Sequence, residues 1–209
     1  MERPVSPEEM RLVDGLRAGS EAAFRELMRM YGASMLRVAQ LYVRSRAVAE
    51  EVVQETWLGV LKGIGRFEGR SSLKTWLFRI LTNTAKTRGE REGRSVPFSA
   101  LGSADDDGGA TVDPDRFLGP EERFPGHWSS PPSSWEPEER LLAAETLDVV
   151  QAAIDALPPA QAIVITMRDV EGFSSEEVRN ALDLSETNQR VLLHRARAKV
   201  RRALEDHLS

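Results

Sequence analysis

Arg190, His194, Arg197 and Arg201 recur at i, i+4, i+7 and i+11, a spacing that lines them along one side of a helix. The chemistry open to such a row is recognition of a polyanion rather than bond-making. A guanidinium presents a rigid fork of donors that matches a phosphate or the edge of a guanine. The stretch from Ser185 to Leu204 holds six Arg or Lys residues, and Glu186 is its one acid. Like charges three or four residues apart repel, so the row weakens the helix that carries it and suggests a polyanion opposite. A merely solvated basic face is the competing reading. Leu192, Leu193, Ala196, Val200, Ala203 and Leu204 share the other side of the same helix and give it a stripe to bury.

Residue types that would carry catalysis are not gathered in this chain. Its histidines are His127, His194 and His207, without metal-ligand spacing, and no Ser-His-Asp arrangement is evident. With no cysteine there is no disulfide and no thiolate metal site. No enzymatic activity, metal or cofactor is expected. The loop Arg66-Phe67-Glu68-Gly69-Arg70-Ser71-Ser72-Leu73 also lacks the spacing and the terminal Lys-Ser/Thr pair of a phosphate-cradling loop.

The elements that position the basic row can be read from local signals. Ser174 with Glu177 three residues on offers a capping box for a short helix through Leu182. Asp183-Leu184 is a tight connector, and Ser185 caps the basic helix. Two helices, a minimal turn and a basic second helix make a helix-turn-helix, whose second helix enters the DNA major groove N-terminus first. Ser185 starts that helix, and Glu186, Thr187, Asn188 and Arg190 become the expected base readers. His194, Arg197 and Arg201 continue the DNA-facing row.

Upstream, helices are expected from Ser6 to Gly19 and from Ser20 onward, with the pattern interrupted at Gly32 and resuming to Tyr42. Glu9 completes a capping box on Ser6. A third helix runs from about Arg46 to Gly63. Ala49, Val52, Val53, Trp57, Val60 and Leu61 form its apolar side. Glu51, Gln54, Glu55 and Leu58 gather on its other side, either as an ordinary acidic face or as a docking face for a basic partner helix. Ser71 or Ser72 caps a fourth helix, residues 73–91, with Trp76, Leu77, Ile80, Leu81 and Ala85 inward and Lys74, Arg79, Asn83, Lys86 and Arg88 toward solvent. Arg66, Phe67 and Arg70 precede it. Aromatic rings beside cations suit single-stranded nucleic acid, although core packing explains Phe67 and Trp76 equally well.

The net charge of −5 conceals an uneven distribution. Residues 100–140 carry ten acids and three arginines, a local −7 that leaves the remainder at +2. Stretch 93–136 breaks all periodicity and is rich in Gly, Ser, Pro and Asp, a composition that buries too little apolar area to order itself. Its Phe117, Phe124, Trp128 and Trp135 are unusual for a passive tether. A helix opening at Glu136-Pro137 and a second from Ala160 to about Val170 follow. The expected class is therefore all-α. Two small helical domains, 1–92 and 137–209, are joined by a flexible acidic linker, 93–136. No run is apolar enough to span a bilayer and no signal-peptide pattern is present, so the expectation is a cytoplasmic protein without membrane insertion.

Two distant blocks resemble one family. Asp14 to Phe24, Ala49-Glu-Glu-Val-Val-Gln-Glu-Thr-Trp57, Arg66-Phe-Glu-Gly69 and Lys74-Thr-Trp-Leu-Phe-Arg-Ile80 resemble region two of extracytoplasmic-function sigma factors of the sigma-70 family. Leu157-Pro-Pro-Ala-Gln161 through Leu193-His-Arg-Ala-Arg197 resembles their region four. The resemblance implies a subunit that binds bacterial core RNA polymerase and directs it to promoter DNA. It implies that Glu51, Gln54, Glu55 and Leu58 meet the polymerase clamp helices. It further implies that Arg66, Phe67, Arg70, Ser71, Lys74, Arg79, Asn83 and Lys86 capture and melt the minus-ten element. The helix from Ser185 to Arg197 then reads the minus-thirty-five element as duplex. An anti-sigma factor covering the polymerase-binding faces is a further partner the family implies.

A stand-alone helix-turn-helix regulator is the alternative. It would usually need a dimer interface for a palindromic site, and no heptad seam is visible.

Overall fold

Ser6, Ser20, Ser45 and Ser72 each place a hydroxyl on a backbone N–H three residues ahead, and each opens one of the first four helices. The computed structural model describes residues 6–96, 98 and 139–208. Those helices are α1 (Pro7–Arg17), α2 (Glu21–Gln40), α3 (Arg46–Gly63) and α4 (Leu73–Arg91), with a single 3₁₀ turn at Ile64–Arg66 after α3. The second half contributes α5 (Glu139–Asp155), α6 (Pro159–Ile165), a π turn at Thr166–Val170, α7 (Ser175–Leu182) and α8 (Glu186–Leu208). Among the described residues every regular element is helical, as an all-α chain requires. The linker aromatics, His127 and the helix opening at Glu136-Pro137 lie outside the described residues.

Two local expectations are corrected. Gly32 does not interrupt α2: the helix runs from Glu21 to Gln40 through it, since a single glycine costs a helix interior only about 1 kcal/mol. Glu9 does not close back on Ser6. Its carboxylate reaches across to accept the backbone N–H of Leu73, satisfying an orphan donor at the start of α4.

In the first domain α3 and α4 cross closely because glycines face the crossing. A Cβ on Gly59 would lie 3.3 Å from Ile80, and one on Gly63 3.3 Å from Trp76. Leu27, Met35, Val38, Val52, Val60, Leu77 and Leu81 are fully or almost fully buried around that crossing. Trp57 meets Phe24 edge to face at 5.8 Å. Each such buried side chain contributes roughly 1.5–3 kcal/mol relative to exposure.

In the second domain Pro159 opens α6 with a pre-set backbone. Ile163, Val164 and Met167 share a buried cluster with Leu192, Leu193, Ala196 and Val200 of α8, where α6 packs on α8. The helix expected to run to Val170 instead widens into the π turn, in which Glu171 N–H donates to Thr166 O at 2.9 Å. That change of period turns Asp169 toward α8, where Arg197 meets it.

The two domains share a single hydrophobic cluster running from Val13 to Val200. The sequence pattern put Phe78 and Thr82 on no buried face, yet both are buried. They lie where α7 packs across α4.

Candidate nucleic-acid interface

The helix-turn-helix forms as its capping signals direct. Ser174 takes the Glu177 N–H and the Glu177 carboxylate takes the Ser174 N–H, so both halves of the capping box are made. Asp183 ends α7 in the left-handed conformation at φ 55°, one of the few residue types that tolerates it. Ser185 then accepts the Asn188 N–H at 3.2 Å and caps α8.

The expected readers divide. Ser185, Glu186, Thr187 and Arg190 are exposed, and so is His194 one turn further. Asn188 is half-buried. Glu186 already holds Arg179 of α7 at 2.7 Å, so its carboxylate is engaged across the turn. Gln189, between these residues, is buried and accepts the Ser175 hydroxyl at 2.6 Å; it braces the motif internally.

The row of four residues breaks after its second member. Arg197 is half-buried and bound in a bidentate pair to Asp169, with both contacts at 2.8 Å. Those hydrogen bonds raise its pKa above the ordinary value despite burial. Arg201 is half-buried too, and burial lowers its pKa while Glu205 partly offsets the effect. Packing against the π turn is the reason: the side of α8 one turn beyond His194 faces protein, so Arg197 serves as a helix–helix brace here rather than as a free phosphate contact.

The second surface lies around the loop before α4. Arg66 and Arg70 are exposed, and Arg70 pairs with Glu68. Phe67 is a correction. Its side chain is buried, its ring stands 5.3 Å from Trp76, and its carbonyl accepts Arg17 Nη2 at 2.5 Å, so in this state it is core rather than a stacking platform. Ser71 is half-buried. Arg79, Asn83 and Lys86 are exposed along α4. Lys74 is not free in solvent: its ammonium donates to Glu171 O at 2.9 Å and sits 3.7 Å from the centre of the Phe173 ring. Burial lowers its pKa, with Glu177 and Glu171 acting in the other direction.

On α3, Glu51, Gln54, Glu55 and Leu58 are all exposed, and Leu58 remains 56% accessible, which is high for a large apolar side chain without a covering partner. Arg88 of α4 crosses to Glu51 at 2.5 Å. Glu55 and Asn83 line one shallow groove between α3 and α4, so the acidic face of α3 and the polar row of α4 meet there. Among the described residues no group of three metal-capable side chains exists, and no helix is long and apolar enough to cross a membrane.

Sequence reasoning missed Phe173, Arg179 and Arg17, whose roles depend on partners 7 to 99 positions away. Only Arg179, four residues before the connector, left a local signal, as a cation within reach of Glu186.

Both halves of the chain match known protein families. Residues 27–95 match Sigma-70 region 2, and residues 147–200 match Sigma-70, region 4. A probable RNA polymerase sigma factor of Haemophilus influenzae is 30% identical over 177 residues, covering 83% of this chain and 86% of the relative. The ECF RNA polymerase sigma-E factor of Escherichia coli is 28% identical over 193 residues, covering 90% of each. Among solved structures, the sigma factor RpoE in complex with the anti-sigma factor NepR from Bartonella quintana superposes with a TM-score of 0.55. It is 21% identical and the match covers 87% of this chain and 96% of that one, a likeness of fold.

Proposed function

The chain belongs to the extracytoplasmic-function branch of the sigma-70 family, whose members direct RNA polymerase to promoters, and we propose that it divides that work between its two domains. The first domain, 1–92, docks on core polymerase through Glu51, Gln54, Glu55 and Leu58. It also captures the minus-ten element through Arg66, Arg70, Ser71, Lys74, Arg79, Asn83 and Lys86. The second, 137–209, reads the minus-thirty-five element through α8, with Thr187, Arg190 and His194 toward the groove. The stretch 93–136 tethers them. The observation that carries this reading is the capped α7–Asp183–α8 motif presenting exposed Thr187, Arg190 and His194 from its turn outward.

No chemistry of its own is assigned to the chain: polymerase supplies catalysis, and this subunit supplies sequence selection and strand capture. Unstacking a base costs a few kcal/mol, which a site that receives the base offsets. Tethering makes the second element an intramolecular target once the first is bound. The protein acts in the cytoplasm, where polymerase and promoter are. An anti-sigma factor is a further proposed partner, since the similar RpoE is solved bound to one.

Footprinting tests the reading. Polymerase with this chain protects both promoter elements, while the chain alone protects neither strongly. Strong protection of a palindromic duplex by the chain alone would instead identify a stand-alone regulator.

A further inference from the structure

Two hydrogen bonds tie α7 to α8 across the turn. The Ser175 hydroxyl donates to Gln189 Oε1 at 2.6 Å, and Arg179 Nη1 donates to Glu186 Oε2 at 2.7 Å. Ser175 and Arg179 stand about one turn apart on α7, and Glu186 and Gln189 stand just under one turn apart on α8, so the two ties form a pair of rungs. One rung fixes a separation between two helices. Two rungs also fix the rotation of each helix about its own axis. The rungs are unequal. The Glu186 side chain is 76% exposed, so solvent screens its attraction to Arg179. Gln189 is only 3% exposed, and its amide is buried between the helices. An apolar side chain of similar volume would fill that space without needing a partner. A buried amide instead holds its place only in the geometry that satisfies it.

We propose that Gln189 is a positioning residue for promoter reading: held by Ser175, it sets the rotation of α8 and so determines which base edges Arg190 and Thr187 reach. The proposal rests on the major-groove reading of α8. Gln189 is closed off from the groove by its own burial, so it acts only through its neighbours. Arg190 follows it directly and Thr187 lies two residues before it, and both are exposed. Side-chain ends stand about 5–6 Å from a helix axis, so a rotation of about 15° carries them about 1.5 Å. That exceeds the whole spread of N–H···O distances, about 2.7–3.2 Å, within which a bidentate contact to a base edge is made. Phosphate contacts position the protein without carrying sequence information. Loss of the buried rung therefore changes which sequence is preferred more than how tightly DNA is held.

Core polymerase with the full chain, transcribing from a library of randomised upstream elements, tests this. Ser175→Ala removes the donor at an exposed position, and Gln189→Leu removes the acceptor. Each is expected to reduce the preference for the favoured base at the positions read by Arg190 by roughly fivefold, or to change that base. Initiation summed over the whole library should fall by less than about twofold. Ser175→Thr keeps a hydroxyl and is expected to keep the parent profile. In an Arg190→Ala background, Ser175→Ala should make no further change at those positions, because the reader it aims is gone. A Ser175→Ala profile equal to the parent's overturns the proposal. So does a uniform loss with the preferred sequence intact, which is what a brace serving stability alone would give. A parent chain without any upstream preference would instead strike the major-groove reading, and the proposal with it.

Discussion

Arg197 and Asp169 form a bidentate ion pair in which Nε and Nη2 of the guanidinium each donate to a carboxylate oxygen at 2.8 Å. The pair joins the basic helix α8 to the π turn behind it. Both side chains are about a third exposed, 40% and 34%, so solvent screens the attraction. Arg197→Ala is expected to lower the stability of the second domain by about 1 kcal/mol, and Arg197→Lys to recover only part of it, because an ammonium cannot make the two-pronged contact. Denaturant unfolding measures this. An unchanged midpoint with weakened DNA affinity would return Arg197 to the phosphate-binding row.

Base reading is expected to concentrate at Arg190. It is exposed one turn into α8, whereas Arg201 lies three turns further and is half-buried. A bidentate base contact is worth roughly 1–3 kcal/mol of discrimination. Arg190→Ala should flatten the preference at one or two positions of the upstream element in a randomised promoter library. Arg201→Ala should lower initiation evenly across the library without changing its preferred sequence. The reverse pattern would mean that α8 lies in the groove the other way.

Gly89 is expected to tolerate no side chain. A Cβ there would meet the Tyr42 carbonyl oxygen at 2.6 Å and the Arg94 carbonyl oxygen at 3.1 Å, and backbone cannot move aside as a flexible side chain can. Gly89→Ala should cost about 1–3 kcal/mol through overpacking, read as a lowered thermal midpoint. A raised midpoint, as ordinary helix propensity would give, would contradict the close approach.

Local signals made much of the fold legible, and tertiary partners account for the rest. The boundaries of α3 and α4 agree with their sequence reading because a capping serine and the apolar period are both local. The capping box at Ser174 and the turn at Asp183 were legible for the same reason. Phe78 and Thr82 were not, because α4 is buried on a second side by α7, about a hundred residues away, and a helix packed on two sides shows no single stripe. Arg197 looked like its neighbours Arg190 and His194 because periodicity assigns a face but not what covers it. The π turn that brings Asp169 to it leaves no period in a short apolar helix.

Acid is expected to weaken the fold around Glu177. Burial alone would raise the Glu177 pKa. Hydrogen bonds from the Ser174 N–H and from the Ser72 and Ser174 hydroxyls, together with Lys74, outweigh it and leave the carboxyl below its ordinary value of 4.5. A lowered carboxylate pKa stabilises the folded state above the ordinary value, and that contribution disappears as pH falls through the lowered one. The thermal midpoint should therefore fall on acidification below about pH 4.5. Glu177→Gln should remove much of that acid dependence. An equal fall in both proteins would assign the pH response to other groups.

The division of labour between the domains is tested most directly by permanganate reactivity of promoter thymines with core polymerase, comparing the parent chain with a variant carrying both Lys74→Ala and Asn83→Ala. These side chains are assigned to the separated strand rather than to duplex. The double variant is expected to retain closed-complex binding, measured by gel shift under conditions that prevent melting, while thymine reactivity at the minus-ten element falls by roughly tenfold or more, equivalent to about 1.4 kcal/mol. Equal losses of closed-complex binding and of thymine reactivity would contradict the assignment of strand capture to α4.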